Sequence, residues 1–580
     1  MFLINPAYEM FGGFLSRYVP VGIPVGIGCI AAYLEKHGVS CAIHDEEIAK
    51  ITPEAVREKA ANIEKPYIFG ITCLTAHVGR GYEVARMLKS EFPDCTVVVG
   101  GLHPSALPDE ALGVGAIDYV IRGEGEKVAL QLYRALRGSA DPTKTMGISF
   151  RRDGKTIHNP DAPLIPDLDM IPAFPYHLFA HPKYDLGFMT TSRGCPYQCA
   201  YCSQRLMTGT TYRYKSADRI VEELTVLVDK YKQTDVLFYD DNFCLVKQRV
   251  FDLCDKIIAS GLNKRVRLSV QSRADNLVER GGEEVVCRMA DANFTHMGFG
   301  LETGVQRIAD LMVKDETVEV HLEASRLCKK YGMDVSLFMI FGFPTETSED
   351  RRTSYEVVRD ENILATKFNN IIPYPSTPLW KSLKGSNRVH VSENWSNFNS
   401  TLSITRSIFD KTPLPYVPET TSEFELKREV IRYNFKSYLT WSSLSGIFGR
   451  TKGGGWYALP ERWYLKPREL FEMSKIAVAI GINLLMSSLP LWLTEPLMEA
   501  LNPELKKRKK VKNYSPESFV PEGWDASIAK AVGHRLSRAR EEFKKTGDIN
   551  VLMNDAISVP KGFSTAAEDV AAFKNNQTAI

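Results

Sequence analysis

The sequence is short of charge of any one sign: 72 Lys and Arg face 70 Asp and Glu, a net charge of +2 over 580 residues. So balanced a chain carries no global signature of nucleic-acid binding, and no nucleic-acid partner is expected. Its first residues, MFLINPAYEM, lack a basic stretch leading into an apolar one. No signal peptide is therefore expected, and the cytoplasm is the default location. There is no internal repeat and no low-complexity tract. Cysteine is present but not in a pattern that pairs: the 11 residues are an odd number, which argues against a disulfide framework. Eight of them (Cys29, Cys41, Cys73, Cys95, Cys244, Cys254, Cys287 and Cys328) are scattered singly, mostly in apolar runs, and read as small buried hydrophobes. The other three stand together and require their own explanation.

What is present is alternation. At roughly 100–200 residues per domain the length predicts about three or four domains. Over residues 1–140 the apolar runs MFLIN, CAIHD, YIFGIT, TVVVGG and DYVIRG alternate with helical patterns at 27–38 and 77–92. That pattern predicts a Rossmann-like, doubly wound parallel sheet. Residues 141–187 hold an Asp-Gly hairpin signal and then the four-proline stretch DAPLIPDLDMIPAFPYH, read as a hairpin and linker. Residues 188–385 alternate again, with six strand candidates opening at FMTTSR, VLFYDD, VRLSVQSR, MGFGLETG, DVSLFMIFGFP and FNNIIPYP. Six βα repeats predict a partial TIM-type (β/α)6 barrel, whose functional residues should stand at the C-terminal strand ends. Residues 386–580 are expected to form a mostly helical extension, with a weakly ordered tail from about residue 553.

The three grouped cysteines are Cys195, Cys199 and Cys202, in Gly-Cys-Pro-Tyr-Gln-Cys-Ala-Tyr-Cys directly after the first barrel strand. Thiolate is the usual protein ligand of iron–sulfur clusters, and thiolates spaced four and three apart can wrap one face of a cubane. Three cysteines for four irons leave one iron open to a substrate or cofactor. A structural zinc site would need a fourth Cys or His. The closest upstream histidine is His181, and none follows until His296.

CxxxCxxC with an aromatic residue, Tyr201, before its last cysteine resembles the signature of the radical S-adenosylmethionine (SAM) enzymes. The resemblance implies a 4Fe-4S cluster on Cys195, Cys199 and Cys202 whose open iron binds the SAM amino and carboxylate groups. Reductive cleavage then yields a 5′-deoxyadenosyl radical, with the electron coming from a donor such as flavodoxin or ferredoxin. It further implies cofactor contacts at the strand ends: Tyr201; Asp240 and Asp241 toward the SAM amine; Arg273 after the third strand; Glu302 toward the ribose; Gly342 near the adenine. Tyr374-Pro375 end the sixth strand.

The N-terminal region resembles the cobalamin-binding domain of class B radical SAM enzymes, which commonly carries DxHxxG, then SxL, then GG. Thr72-Cys73-Leu74 stands in for SxL, and Gly100-Gly101 follows after 25 residues. The resemblance implies that Thr72, Leu74, Gly100, Gly101 and His103 bind cobalamin; for His103, a satisfied loop histidine is an equal reading. The loop NPAYEMFGGF has no histidine, so a histidine ligand to cobalt is not expected by that route. No GxGxxG opens the first helix, which disfavours a dinucleotide. Trp395 and Phe398 match a W-x-x-F element frequent in the family.

In the extension, residues 476–493 read IAVAIGINLLMSSLPLWL, and KKRKKVK follows at 506–512. A core helix beside a solvated charge run explains both, but so does peripheral contact with an anionic membrane. The reading that unites these features is a cobalamin-dependent radical SAM methyltransferase acting on an unactivated carbon of a small, hydrophobic molecule or lipid. A cyclase or oxidative rearrangement on the same scaffold is the nearest alternative. An iron–sulfur or corrinoid-binding sensor is the non-enzymatic one.

Overall fold

The computed structural model describes residues 1–7, 21–278, 281–361, 363, 365–399, 406–438, 466–512 and 514. The expected weakly ordered tail from residue 553, and most of the loop after the first strand, lie outside the described residues.

Seven strands form the first sheet: β1 (Phe2–Asn5), β2 (Ala42–Asp45), β3 (Ile68–Thr72), β4 (Thr96–Gly100), β5 (Tyr119–Ile121), β6 (Ile148–Arg152) and β7 (Lys155–His158). Their spatial order is β2-β1-β3-β4-β5-β6-β7. The first five are parallel, with helices on both faces, so their residues are apolar throughout rather than alternating. The Asp153-Gly154 hairpin does not belong to a linker: β6 pairs antiparallel with β5 and extends this sheet. The order of β1 to β5 reverses between β1 and β3, which opens a crevice at their carboxyl ends.

The proline-rich stretch is packed rather than free. Ile165, Leu168 and Ile171 bury against Cys29, and Phe174 stacks on Phe179 at 5.3 Å. Gly28 permits this: a β-carbon there would lie 2.2 Å from the Phe174 ring. Prolines suit the segment because it runs extended over two domains and gives few N–H groups to any ladder.

The second sheet is an open arc of six parallel strands in chain order: β8 (Phe188–Met189), β9 (Asp235–Phe238), β10 (Arg267–Ser272), β11 (Phe294–Glu302), β12 (Asp334–Phe341) and β13 (Ala365–Asn370). A typical outer helix, α1 (Ala217–Asp229), is N-capped by Ser216 and buries Ile220, Leu224, Leu227 and Val228 on one stripe. The margin of the arc at β13 is covered by α2 (Glu423–Tyr438), whose Asn434 accepts from the Phe368 N–H at 3.0 Å and donates to the Phe368 carbonyl at 2.7 Å. Two further helices, α3 (Pro467–Ser488) and α4 (Leu491–Leu501), complete the described part of the extension.

The two sheets are fastened by buried charge. Arg193, just after β8, reaches Glu124 at 3.1 Å in the loop after β5 and Glu126 at 2.6 Å in the first turn of the helix Gly125–Arg134. Arg213 adds a second contact to Glu124 at 2.8 Å.

Candidate active site at the barrel mouth

The cysteine loop leaves the arc after β8. Asp240, at the end of β9, holds it: the Asp240 carboxylate accepts from the N–H groups of Thr191 (2.7 Å) and Ser192 (3.0 Å) and from the Ser192 hydroxyl (2.7 Å). Arg249 lies 3.4 Å from the same carboxylate. Asp240 is thus bonded inside the protein and braces the start of the cysteine loop. Its neighbour Asp241 stays solvent-accessible, accepts from the Gly194 N–H at 3.0 Å, and is pushed up to about 6, chiefly by the protein packed around it.

Cys199 lies within electrostatic reach of both Cys195 and Cys202, and Cys195 within reach of Cys202, so the three thiols form one group. Burial pushes Cys195 and Cys202 up to about 12, while the N–H groups of Tyr197 and Gln204 donate to their sulfurs and favour the thiolates. A bound cation would deprotonate such thiols outright. Among the described residues no three His, Cys, Asp or Glu side chains converge closely enough for a single metal ion. In a cluster each thiolate takes a different iron, so the three sulfurs need not crowd one point.

A buried network underlies the loop from the other side. The Tyr201 hydroxyl donates to Glu302 at 3.0 Å. Lys314 stands 4.0 Å from Glu302 and 3.1 Å from Glu316, and Arg273 is 3.4 Å from Glu316 and 3.1 Å from Asp275. The Arg273 guanidinium also lies over the Tyr197 ring, 3.4 Å from its centre. Arg273 thus stacks against the cysteine loop from within a salt-bridged network. Burial raises the Glu302 carboxyl. Tyr197, Lys314, Glu316 and the nearby His321 went unremarked in sequence, where a Lys-Asp-Glu run looks like any solvated turn.

Three successive barrel strands are followed by a non-glycine residue in the left-handed region: Glu302 (φ 67°), Thr345 (φ 69°) and Ser376 (φ 69°). Such backbone strain gathers at functional sites. Gly342, at φ 87°, ends β12, and a β-carbon there would meet Leu426 of α2 at 2.7 Å. Its N–H donates to the buried Glu346, whose carboxyl burial pushes up to about 8. Glu346 therefore holds a proton in the folded chain between about pH 4.5 and 8 that the unfolded chain has released. Stability contributed by this group falls as pH rises through that window, by about 1.4 kcal/mol per unit. Glu346→Gln is expected to flatten the slope, measured as urea midpoints from pH 5 to 8. Parallel profiles for the two proteins would refute the assignment.

In the first sheet, Thr72 pairs in register with Gly100, and the Cys73 N–H donates to the Gly100 carbonyl at 2.8 Å. Gly101 has φ 99°, and a β-carbon there would lie 2.8 Å from the Cys73 carbonyl, so only glycine lets the two loops close. Leu74 is 42% exposed beside them. Thr72, Leu74, Gly100 and Gly101 thus share one edge. His103 joins it through its backbone, whose N–H donates to the Cys73 carbonyl at 3.2 Å; its buried ring sits 3.2 Å from Glu110 and edge-on to Trp395 at 5.0 Å, and the Trp395 N–H also donates to Glu110, at 3.0 Å. The helix following Gly101, Leu102–Ala106, packs on Arg205–Thr208, the turn that follows Cys202. The glycine edge and the cysteine loop are therefore neighbours.

The Radical SAM superfamily matches residues 189–358, and the B12 binding domain matches residues 14–132. The chain is 30% identical over 386 residues to an uncharacterized methyltransferase of Pyrococcus horikoshii, which covers 65% of this chain and 82% of that protein. It is 27% identical over 395 residues to the anaerobic magnesium-protoporphyrin IX monomethyl ester cyclase of Rubrivivax gelatinosus, covering 66% and 69%. Two solved structures share the fold. The radical SAM methyltransferase TsrM of Kitasatospora setae, with cobalamin and a 4Fe-4S cluster bound, superposes with a TM-score of 0.62 at 16% identity, covering 83% of this chain and 99% of that one. The cobalamin-dependent SAM radical enzyme OxsB, with aqua-cobalamin and SAM bound, gives 0.60 at 14%, covering 96% and 82%.

Proposed function

Because the chain belongs to the radical SAM superfamily, in the branch that carries a B12 binding domain, we propose that it is a cobalamin-dependent radical SAM methyltransferase acting on an unactivated carbon. The observation that carries this reading is the packing of Leu102–Ala106 on Arg205–Thr208, which brings the glycine edge beside the cysteine loop. When bound, the cluster and SAM supply a 5′-deoxyadenosyl radical and cobalamin a transferable methyl group; the hard chemistry is theirs.

The chain's own residues hold and orient. Cys195, Cys199 and Cys202 ligate the cluster, and the N–H groups of Tyr197 and Gln204 tune its sulfurs. Asp240 and Arg273 act as positioning residues, one bracing the loop from β9 and the other through the Tyr197 ring. Asp241, and Glu302 bonded to Tyr201 beneath the loop, would supply polar groups for the SAM amine and ribose, and Gly342 would leave room for the adenine. The Arg193–Glu124–Arg213 fastening keeps the two cofactor sites in fixed relation and water out of the seam. The substrate is a hydrophobic small molecule or lipid, and a flavodoxin or ferredoxin supplies the electron. We place the protein in the cytoplasm, where its free cysteines stay reduced.

Anaerobic incubation with SAM, reductant, hydroxocobalamin and candidate lipid substrates is expected to yield 5′-deoxyadenosine and a product one CH2 heavier than the substrate it came from. A product that has lost hydrogen without gaining carbon would make the protein a cyclase or desaturating enzyme, and no 5′-deoxyadenosine would make it a sensor. Gly101→Val strains φ 99° and drives a side chain into the Cys73 carbonyl. It is expected to cut corrinoid per chain about ten-fold, read from absorbance, with iron content unchanged. Equal corrinoid loading would show that this edge is not where cobalamin sits.

A further inference from the structure

The helices α3 and α4 are inside out. The side of α3 that faces the protein carries Glu469, Asn483 and Ser487 among its buried residues, with Ile476 and Met486. The side that faces solvent carries Phe471 (60% exposed), Val478 (63%) and Leu485 (59%), with Leu470 and Ile482. The same inversion continues on α4, where Thr494 and Glu499 are buried while Trp492 (76% exposed), Leu493, Leu497 and Leu501 point outward. A water-facing helix has the opposite arrangement. The inner polar groups are bonded in place: Asn483 accepts from the Ile408 N–H at 2.9 Å and donates to the Arg406 carbonyl at 2.8 Å, and Arg428 donates to the Ser487 carbonyl at 3.0 Å. The orientation is therefore fixed by specific contacts, and nine large apolar side chains form one exposed band on two consecutive helices.

We propose that this band is a docking surface for an anionic lipid bilayer. The charge around it selects that partner. Residues 466–512 contain nine Lys and Arg against five Glu, a net +4 in a chain whose total is +2. Several of the acids are turned inward or already paired: Glu499 with Lys509 at 2.7 Å, Glu504 with Lys507 at 2.8 Å, Glu472 with Lys475 at 2.9 Å. Lys506, Lys510 and Lys512 remain exposed at the end of α4. A second copy of the chain laid on this face would bring +4 against +4, whereas anionic headgroups are attracted to it. Trp492, at the start of α4 and the most exposed of the apolar residues, is the residue type that favours the headgroup boundary. Leu489-Pro490 breaks the apolar run 476–493 between α3 and α4; the 22-residue α3 is long and apolar enough to cross a membrane, but its Asn483 and Ser487 are bonded to the protein along one side, so helices lying in the interface plane fit the run better than a span. This docking stands independently of the methyl-transfer reading, though it suits a lipid substrate.

The test is flotation of the full-length, iron-loaded protein with phosphatidylcholine vesicles, with and without phosphatidylglycerol. Its comparison is the variant Leu485→Ser/Trp492→Ser/Leu497→Ser, whose three side chains are all exposed. Wild type is expected to float with the phosphatidylglycerol vesicles, and the variant's floated fraction to fall about ten-fold or more, since binding scales with inserted apolar area. Iron content and 5′-deoxyadenosine formation, measured on the same samples, should match between the two. A wild-type protein that stays out of both vesicle fractions overturns the proposal, as does equal flotation of wild type and variant. Concentration-dependent dimers that the variant loses, without flotation, would assign the band to a second copy and overturn it as well.

Discussion

Cys199→Ala is expected to fold and yet to form 5′-deoxyadenosine at below about 1% of the wild-type rate, because two remaining thiolates cannot hold the cubane. Cys199 acts electrostatically on both Cys195 and Cys202, and its carbonyl accepts from the Cys202 N–H at 3.1 Å, so it stands at the centre of the loop. The loop's position does not depend on the thiol. Asp240 holds it from β9, the Ala200 N–H donates to the Met312 carbonyl at 2.9 Å, and Tyr201 is bonded to Glu302. Loss of iron with retained circular dichroism and melting behaviour is therefore the expected pair of results. Full iron content together with SAM cleavage in Cys199→Ala would remove the basis for the cluster assignment.

The largest expected loss of stability follows Arg351→Met. Arg351 is wholly buried at the start of the helix that follows β12, bonded to Glu429 of α2 and to Thr421 at 3.1 Å, and 3.5 Å from Glu346. Removing the cation leaves two carboxyls facing an apolar interior. Breaking a buried pair in this way costs about 3–5 kcal/mol, much more than exchanging both partners for apolar groups. Urea midpoints should show that loss at pH 7. Arg351→Met/Glu429→Leu should recover part of it. A change below about 1 kcal/mol for the single variant would mean that water reaches the site.

The cluster ligands were legible in sequence because all three lie within eight residues and their chemistry is specific. Many strands were legible too, since burial on both faces makes segments such as IFGIT, TVVVG and DVSLFMIF largely apolar. What sequence could not reveal were roles set by distant partners. Asp240 looks like a strand-end acid aimed at substrate, yet its donors are Thr191 and Ser192, some 49 residues upstream. His103 looks like a loop histidine near a cofactor until Trp395 and Glu110, 285 residues apart, enclose it. Arg351 reads as one more exposed helix charge, because Glu429, its principal partner, comes 78 residues later. The Asp-Gly hairpin was recognised, but nothing local said that it would lengthen the first sheet. The apolar run at 476–493 was visible, whereas the direction in which its helix faces is a tertiary fact.

Asn434 grips both the N–H and the carbonyl of Phe368 on the outermost strand of the open arc. A bare parallel margin is a template on which another polypeptide can add a strand, and natural proteins take measures to deny it. Here one amide side chain occupies a pair of hydrogen-bonding groups that an incoming chain would use, while the rest of α2 covers the margin around it. The extension is for that reason a guard against self-templated aggregation as much as an accessory to the site. Shortening the chain without uncovering that margin means cutting beyond Asn434, whatever the fate of the helices that follow.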